Sequence, residues 1–365
     1  MIFRRRAKQA HQQARPYSAQ HEFFLSTLFQ TADPARSRIP QILGCGIALV
    51  CLVWVLRDFH LIQLLREIAN VDWKWVVAGM TFDVLSYGAQ AVRWEFLLRP
   101  FGKVRLTRSV RAVYSGLFAN LVFPLRPGEF LRSNLLSASE GISLGRVLGS
   151  IGVERLIDLV IATASLAVAS LVVDLPRRFN RIADILGVVT LVVLAIIVAL
   201  IFYLELRMGN EPPPDLAPRG FRAKALGALS VLHAIGTAPS FYPALFTSLF
   251  IPFFQILGLW AMMQSYGLHL NFLTAVVVLL IINLGVSLPN APANVGAYQF
   301  FCVLGLSVFQ VDKTTATCFS IFAFLALTFP FIFLGFAALL KSGLSLRSLR
   351  ERIVPGRIRK STAET

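Results

Sequence analysis

Charged residues are scarce in this chain of 365 residues: they make up 15% of it, whereas 56% of the residues are hydrophobic. The mean hydropathy of +0.67 excludes an ordinary soluble domain. Catalytic signatures are missing as well, because the sequence has no HExxH motif, no acyl-transfer arrangement around its five histidines and no Walker loop. We therefore predict no cofactor and no direct use of ATP, and the sequence favours a protein that is not an enzyme.

Cysteine is also rare, with four residues that form no CxxC pair and have no histidine at metal-ligand spacing. All of them lie within or beside apolar runs, at Cys45, Cys51, Cys302 and Cys318. We interpret them as small packing residues, and the sequence predicts no metal site.

Long apolar runs are abundant. A membrane-spanning helix needs about 20 mostly apolar residues. Four uncharged runs meet this requirement, namely Ile39–Leu56, Ile185–Leu204, Phe241–Gln264 and Thr314–Leu340. Two further runs contain internal charges, namely Trp75–Leu98 and Val147–Val173. We predict an all-α polytopic integral membrane protein with about six spanning helices.

The net charge of +16 comes mostly from lysines and arginines between and beyond the apolar runs. By the positive-inside rule, the basic segments 1–38 and 341–365 are both predicted to be cytoplasmic. Such segments also attract anionic lipid headgroups. Basic patches interleaved with aromatic residues are missing, so nucleic acid is excluded as a partner.

Residues 39–340 are predicted to form one transmembrane domain with halves at about 39–206 and 241–340. The linker between them, 207–240, begins with a proline-rich segment that favours an extended spacer, and a surface helix is predicted at Phe221–Ile235. We interpret the halves as inverted repeats, an architecture in which transporters place their binding site at the repeat interface.

Each half also contains a short apolar arm, Ala112–Phe123 or Ala275–Leu288, that is followed by a break rich in proline and glycine. About twelve residues are too few to span a bilayer at 1.5 Å per residue. We interpret each arm as part of a re-entrant hairpin, the first opening from the cytoplasm and the second from the outside. In the second half, Phe300–Val308 resumes the apolar character.

The first break concentrates charge where a bilayer predicts none. The segment NLVFPLRPGEFLR, residues 120–132, is followed by ERLID, residues 154–158, inside the next apolar run. An ionisable group at membrane depth costs about 2.5–3.5 kcal/mol on insertion scales, so it usually marks a substrate or ion path. Glu154 and Asp158 share a helix face, and Arg155 can pair with Asp158 or with Glu129. A packing network and a cytoplasmic loop are the alternative interpretations.

Further polar residues are candidates for the same site. Asp83 shares a helix face with Tyr87 and Gln90, and is either a proton or headgroup contact or a partner of Arg155. The second break offers hydrogen-bonding side chains without charge. The predicted substrate-binding residues are Asp83, Asn120, Arg126, Glu129, Arg132, Glu154, Arg155, Asp158, Asn283 and Asn294.

The segments RWEFLLRPFGKV (93–104), PLRPGEFLR (124–132) and GSIGVERLIDL (149–159) resemble the transmembrane, flippase-like domain of lysylphosphatidylglycerol synthases and its stand-alone relatives. The resemblance covers most of residues 40–340. It implies a multi-pass protein of the bacterial inner membrane that handles a lipid, which the bifunctional members translocate between leaflets. Only about 25 residues follow the last run, so we expect a stand-alone member without the soluble aminoacyl-transfer domain.

The second break departs from the pattern of that family. Family members often show P-G-G-x-G followed by Glu, whereas this chain has PANVG at 292–296 and Gln299 near the acidic position. The resemblance therefore implies the architecture more strongly than the identity of the headgroup.

We expect a lipid transporter that binds the headgroup of a phospholipid or lipid-linked intermediate, either anionic or carrying a lipid-linked phosphate. The alternatives are a membrane-embedded transferase acting on a lipid phosphate or lipid-linked sugar, with Glu129 and Asp158 as acid and base, and a non-catalytic scaffold for a partner enzyme. The oligomeric state stays open.

The basic ends and the even number of predicted spans generate the first testable prediction. Reporter fusions at Lys341 and within residues 1–36 should both give a cytoplasmic signal. A periplasmic signal at either end would contradict the map and the inverted halves with it.

Overall fold

The computed structural model describes residues 49–57, 61–123, 127–172, 187–196, 221–286 and 292–342, together with the single positions 46, 181, 184, 185 and 199. All of these residues belong to one compact unit, Gly44–Gly343. They form helices and connecting turns without any strand, which confirms the all-α prediction for this part of the chain.

The helices are named in chain order. The first half contains α1 (Leu61–Ala69), α2 (Trp73–Leu98), α3 (Leu106–Val122), α4 (Gly128–Glu140) and α5 (Leu144–Val172). The second contains α6 (Phe221–Gly236), α7 (Phe241–Ser265), α8 (Phe272–Val286), α9 (Ala297–Ser307) and α10 (Lys313–Lys341). Helical turns also cover residues 49–56 and Gly187–Ile196, inside two of the predicted apolar runs.

Four predicted runs agree closely with observed helices, namely α2, α5, α7 and α10. Among the described residues, α7 and α10 are the helices long and apolar enough to cross a membrane by length and composition. The helices α2 and α5 are of similar length, with 26 and 29 residues, but contain charged residues. Those charges need partners inside the protein or in a polar cavity.

The most extensive helix pair is formed by α2 and α7, which run in opposite directions. The start of α2 lies beside the end of α7, since the backbone N–H of Asp72 donates to the carbonyl of Ser265 at 3.1 Å. Gly79 and Gly258 face each other about two helical turns from this end of the pair, where an added Cβ at Gly79 would lie 3.0 Å from the Gly258 carbonyl oxygen. Small residues thus allow the two backbones to approach closely, as is typical of membrane helix pairs.

The first short arm is longer than predicted. It begins at Leu106 rather than Ala112 and has 17 residues, or about 26 Å at 1.5 Å per residue. The reason lies in the basic stretch before it: the carboxylate of Glu140, at the end of α4, accepts hydrogen bonds from the Arg105 backbone N–H and the Arg108 side chain, both at 3.0 Å. The prediction therefore placed the start of this arm too late.

The turn between α3 and α4 is built on a close approach of two glycines. The backbone N–H of Gly128 donates to Oδ1 of Asn120 at 2.7 Å. A Cβ added to Gly128 would lie 2.0 Å from the carbonyl oxygen of Gly116. Gly128 therefore starts α4 at a distance from α3 that leaves no room for a side chain.

The second hairpin, α8 and α9, follows the same order of elements with different chemistry. A 3₁₀ turn over Pro292–Asn294 precedes α9, and Ala293 and Asn294 have positive φ values of 56° and 60°. The Gln299 side chain caps the helix by accepting a hydrogen bond from the Gly296 backbone N–H at 2.7 Å. Gly285 lies against the ring of Phe301, and the 3₁₀ turn contacts α3.

A helix lies in the predicted linker 207–240. Its bounds, Phe221–Gly236, agree with the predicted surface helix, but one side of it is buried against α5. Val231 and Ile235 are buried, and Val231 fills the space beside Gly149 of α5. This helix therefore belongs to the packed unit.

The glycine contact between the arms of the first hairpin generates the second prediction. Gly128→Ala should lower the free energy of unfolding by about 1–3 kcal/mol, because the new methyl group overlaps the Gly116 carbonyl oxygen. The measurement is the midpoint of thermal unfolding of the purified protein in detergent. Gly152→Ala is the matched control, since a Cβ there meets no atom within 4 Å. Equal midpoints for both variants would contradict the close approach.

Candidate functional site

Six charged side chains from three helices form one continuous ion network. The helix α2 contributes Arg93, α4 contributes Glu129 and Arg132, and α5 contributes Glu154, Arg155 and Asp158. Three arginines balance three carboxylates, so these six side chains carry no net charge when all are ionised. The network explains why the charged segments PGEFLR and ERLID occur inside apolar surroundings.

The inner part of the network is closed to solvent. The carboxylate of Glu154 lies between two arginines, with Oε2 2.5 Å from Nη2 of Arg132 and Oε1 3.4 Å from Nη2 of Arg93. The side chains of Glu154 and Arg93 are 1% exposed, and that of Arg132 is 5% exposed. A buried charge of this kind is tolerated because its partners are buried with it.

An aromatic side chain supports this inner part. The guanidinium of Arg132 lies 4.7 Å from the ring centroid of Trp94, a cation–π distance. The indole N–H of Trp94 donates to Oγ of Ser150 at 3.0 Å. Trp94 is fully buried, so the ring holds the arginine while its own polar atom is satisfied by α5.

The outer part, which we call the rim, consists of Glu129, Arg155 and Asp158. Arg155 hydrogen bonds to the Glu129 carboxylate, and its Nη1 lies 3.6 Å from Oδ2 of Asp158. The exposed fractions of these side chains are 39% for Glu129, 50% for Arg155 and 36% for Asp158. Asp158 also accepts a hydrogen bond from Nη1 of Arg93 at 2.5 Å, and thereby joins the rim to the inner part.

Several buried polar atoms in the inner part make no hydrogen bond. Nε of Arg93, Nε of Arg132 and Oε1 of Glu154 are buried and make no hydrogen bond within the described part of the chain. A buried polar atom without a partner costs free energy, and such atoms are often kept at functional sites.

The structure brings together five of the predicted site residues: Glu129, Arg132, Glu154, Arg155 and Asp158. Both partners predicted for Arg155 are confirmed, because it contacts Glu129 and Asp158. The alternative in which Asp83 pairs with Arg155 is wrong. Asp83 lies on α2 ten positions before Arg93 and is not in the network, whose geometry instead requires Arg93 at that place.

The predicted asparagines lie apart from the network. Asn120 uses its side-chain oxygen to accept the Gly128 N–H, so it holds the turn of the first hairpin. Asn283 is exposed on α8, and Asn294 lies in the 3₁₀ turn of the second hairpin. The predicted residue Arg126 lies outside the described residues.

Arg93 and Trp94 are site residues that the sequence reading missed. The predicted polar face of α2 comprised Asp83, Tyr87 and Gln90, and Arg93 was not among the predicted site residues. The sequence does contain a signal for Arg93. A cation inside an apolar helix needs an anionic partner, and ERLID has two carboxylates but only one arginine, Arg155. The identity of that partner depends on which helices pack together, which periodicity alone does not give.

The family described as the lysylphosphatidylglycerol synthase TM region matches residues 41–335 of this chain. The match covers most of the chain, so the protein belongs to this family and is a membrane protein. The network residues all lie within the matched range.

Two relatives are similar at lower identity. A UPF0104 membrane protein of Methanothermobacter thermautotrophicus is 20% identical over 269 residues, which cover 68% of this chain and 78% of the relative. Glycosyltransferase AglD of Haloferax volcanii is 27% identical over 132 residues, which cover 35% of this chain but only 21% of that protein. No solved structure matches the chain.

The difference in burial between the inner part and the rim generates the third prediction. Glu154→Gln should lower the free energy of unfolding by about 3–5 kcal/mol, because it leaves two buried arginines without their shared anion. Glu129→Gln, in the exposed pair with Arg155, should lower it by only about 0–1 kcal/mol. Asp158→Asn should fall between them, since Asp158 contacts both a buried and an exposed arginine.

Thermal unfolding in detergent measures this order directly. A Glu154→Gln variant that unfolds at the same temperature as the wild type would show that the inner part does not stabilise the fold.

Proposed function

We propose that this member of the lysylphosphatidylglycerol synthase transmembrane family is a lipid transporter whose rim binds the phosphate of a lipid headgroup. The proposal rests on the difference in solvent exposure between the inner part of the ion network and its rim. Its inner arginines are buried against Glu154, whereas Arg155 is half-exposed beside the first break. A guanidinium with free N–H groups in such a position suits a phosphate, which it can bind through two parallel hydrogen bonds.

The start of α4 supports the same ligand. Glu129 lies in the first turn of this helix, where unpaired backbone N–H groups and the helix dipole favour an anion. In the structure the carboxylate of Glu129 supplies that anion and pairs with Arg155. We propose that Glu129 holds the Arg155 guanidinium in position, so that its remaining N–H groups are available to the phosphate.

The order of helices supports a transporter architecture. The series α2, α3, break, α4, α5 recurs as α7, α8, break, α9, α10. We propose six spanning helices with two re-entrant hairpins in inverted halves, both termini cytoplasmic, and the lipid path between the halves. The antiparallel pairing of α2 and α7 is consistent with this arrangement, since equivalent helices of inverted repeats run in opposite directions.

A second candidate is favoured by the similarity to Glycosyltransferase AglD. In it, the bound lipid is a lipid-linked sugar and this chain serves a transfer reaction, alone or beside a partner enzyme. The rim offers two carboxylates for acid and base, Glu129 and Asp158. Both contact Arg155, so each carboxylate is already held in an ion pair inside the rim. The geometry therefore favours binding and transport over catalysis.

The fourth prediction tests the rim as a headgroup site. Phosphate-containing lipids that copurify with the wild type should be lost from Arg155→Gln and strongly reduced in Glu129→Gln, because these variants remove the phosphate donor or disturb its position. Both variants should still insert and purify like the wild type, since the pair is exposed. Arg126→Ala should behave in the same way. Mass spectrometry of the extracted lipids gives the measurement.

Arg99→Gln is the matched control, because Arg99 forms an exposed pair with Glu95 outside the network. It should retain the lipids. Lipid retention by Arg155→Gln equal to that of the wild type would contradict the headgroup site, and aggregation of Arg126→Ala with full activity in the folded fraction would identify the first break as scaffold. Glycosyl transfer that is lost in Glu129→Gln while lipid is retained would favour the second candidate.

A further inference from the structure

Asp83 is an acidic side chain in the middle of α2 that the network does not use. It is the eleventh residue of a 26-residue helix, so about 15 Å of helix separate it from the start and about 22 Å from the end. Its carboxylate makes no hydrogen bond and no ion pair with any residue in the described part of the chain. An unpaired carboxylate at this depth is costly in its ionised form and therefore requires a specific explanation.

The surroundings of Asp83 come from both halves of the chain. On α7, Gly258 leaves room beside it, since a Cβ built there would lie 3.7 Å from the Asp83 Cβ. The hydroxyl groups of Tyr114 on α3 and Tyr298 on α9 both interact electrostatically with its carboxylate. Asp83 thus lies on the side of α2 that packs against α7, where the first long helices of the two halves meet.

The two tyrosines differ in their hydrogen bonding. The Tyr114 hydroxyl donates to the carbonyl of Val84 at 2.9 Å, one residue from Asp83. The Tyr298 hydroxyl is buried and has no hydrogen-bond partner in the described part of the chain. A buried hydroxyl without an acceptor is unfavourable, so Tyr298 is a hydrogen-bond donor that lacks an acceptor.

The helices packed against α2 supply no cation for Asp83. Tyr242, at its start, is the titratable side chain of α7, and the lysines of α10, Lys313 and Lys341, lie at its two ends. Cys302 of α9 and Cys318 of α10 are buried thiols. In α3 the arginines are Arg108 and Arg111, in its first two turns. The charges of α5 beyond its first turn form the ion network with Arg93.

We propose that Asp83 is a proton-binding site that faces the contact between the two halves, with the Tyr298 hydroxyl as its hydrogen-bond donor. The carboxylate binds one proton and becomes a neutral carboxylic acid when water is excluded, and it releases that proton when Tyr298 or water stabilises the anion. A metal cation would need several oxygen ligands, whereas a proton needs only the one carboxylate. Combined with the lipid site, on whose proposal this last step rests, Asp83 supplies a coupling ion for movement of the lipid.

The test is infrared spectroscopy of the full-length protein purified in detergent. The carbonyl stretching band of a protonated carboxylic acid should be present in the wild type at neutral pH, should shift in D₂O and should disappear at alkaline pH. Asp83→Asn should lose the band completely. Glu129→Gln should retain it, although that variant is expected to lose lipid, so failure of the lipid site and failure of the proton site give different results.

Tyr298→Phe provides a second measurement that does not alter the carboxylate. It should keep the band at neutral pH, because the Tyr298 hydroxyl makes no hydrogen bond there, but the band should disappear only at a higher pH, because the ionised carboxylate has lost its donor. Three results would overturn the proposal: a band that persists in Asp83→Asn, a wild-type band that Na⁺ removes at constant pH, or a wild type without the band in which Arg126→Gln makes one appear. The last result would mean that Arg126 is the counter-ion of Asp83.

Discussion

The buried carboxylate of Glu154 is the interaction on which the rest of this structure depends. It joins α2 and α4 to α5 through Arg93 and Arg132, and all three side chains are almost completely buried. Neither arginine has another buried anion, so removing the carboxylate would leave Arg132 without an anion and Arg93 with only the partly exposed Asp158. The position of the first hairpin relative to α2 and α5 therefore follows from one charge, and the exposed position of the rim follows from the same constraint.

Arg132 reaches Glu154 only because the two helices of the first hairpin lie close together. The contact between Gly116 and Gly128 brings α3 and α4 together, and the cap from Asn120 fixes where α4 begins. Arg132 lies one helical turn after Gly128, so any widening of the turn would move its guanidinium away from Glu154 and Trp94. The residues between the break and the network are thus coupled by geometry, which explains why proline, glycine and charge occur together in one short segment.

The sequence predicted the local patterns well and the partners between helices only in part. The spacing of ERLID placed Glu154 and Asp158 on one face and gave both partners of Arg155, because these contacts depend on helical periodicity and one neighbouring segment. Arg93 was not predicted because its partners lie more than sixty positions away along the chain. The sequence of α2 does not indicate which helix packs against that face. Asn120 was assigned to a ligand, although a side-chain amide beside a glycine turn is equally suited to cap a backbone.

The two hairpins show how one order of elements can serve two purposes. The first break is bounded by ions, while the second is closed by the Gln299 cap and by the packing of Gly285 on Phe301. An uncharged hairpin cannot neutralise a phosphate, but it can pack against an apolar core where its backbone is capped from within, as the Gly296 N–H is by Gln299. Tyr298 is the exception, because its hydroxyl is buried without a partner in the described part of the chain and interacts with Asp83 of the other half. The two hairpins therefore differ in their roles. The first contributes charged side chains, whereas the second contributes a neutral hydrogen-bond donor for Asp83, the Tyr298 hydroxyl.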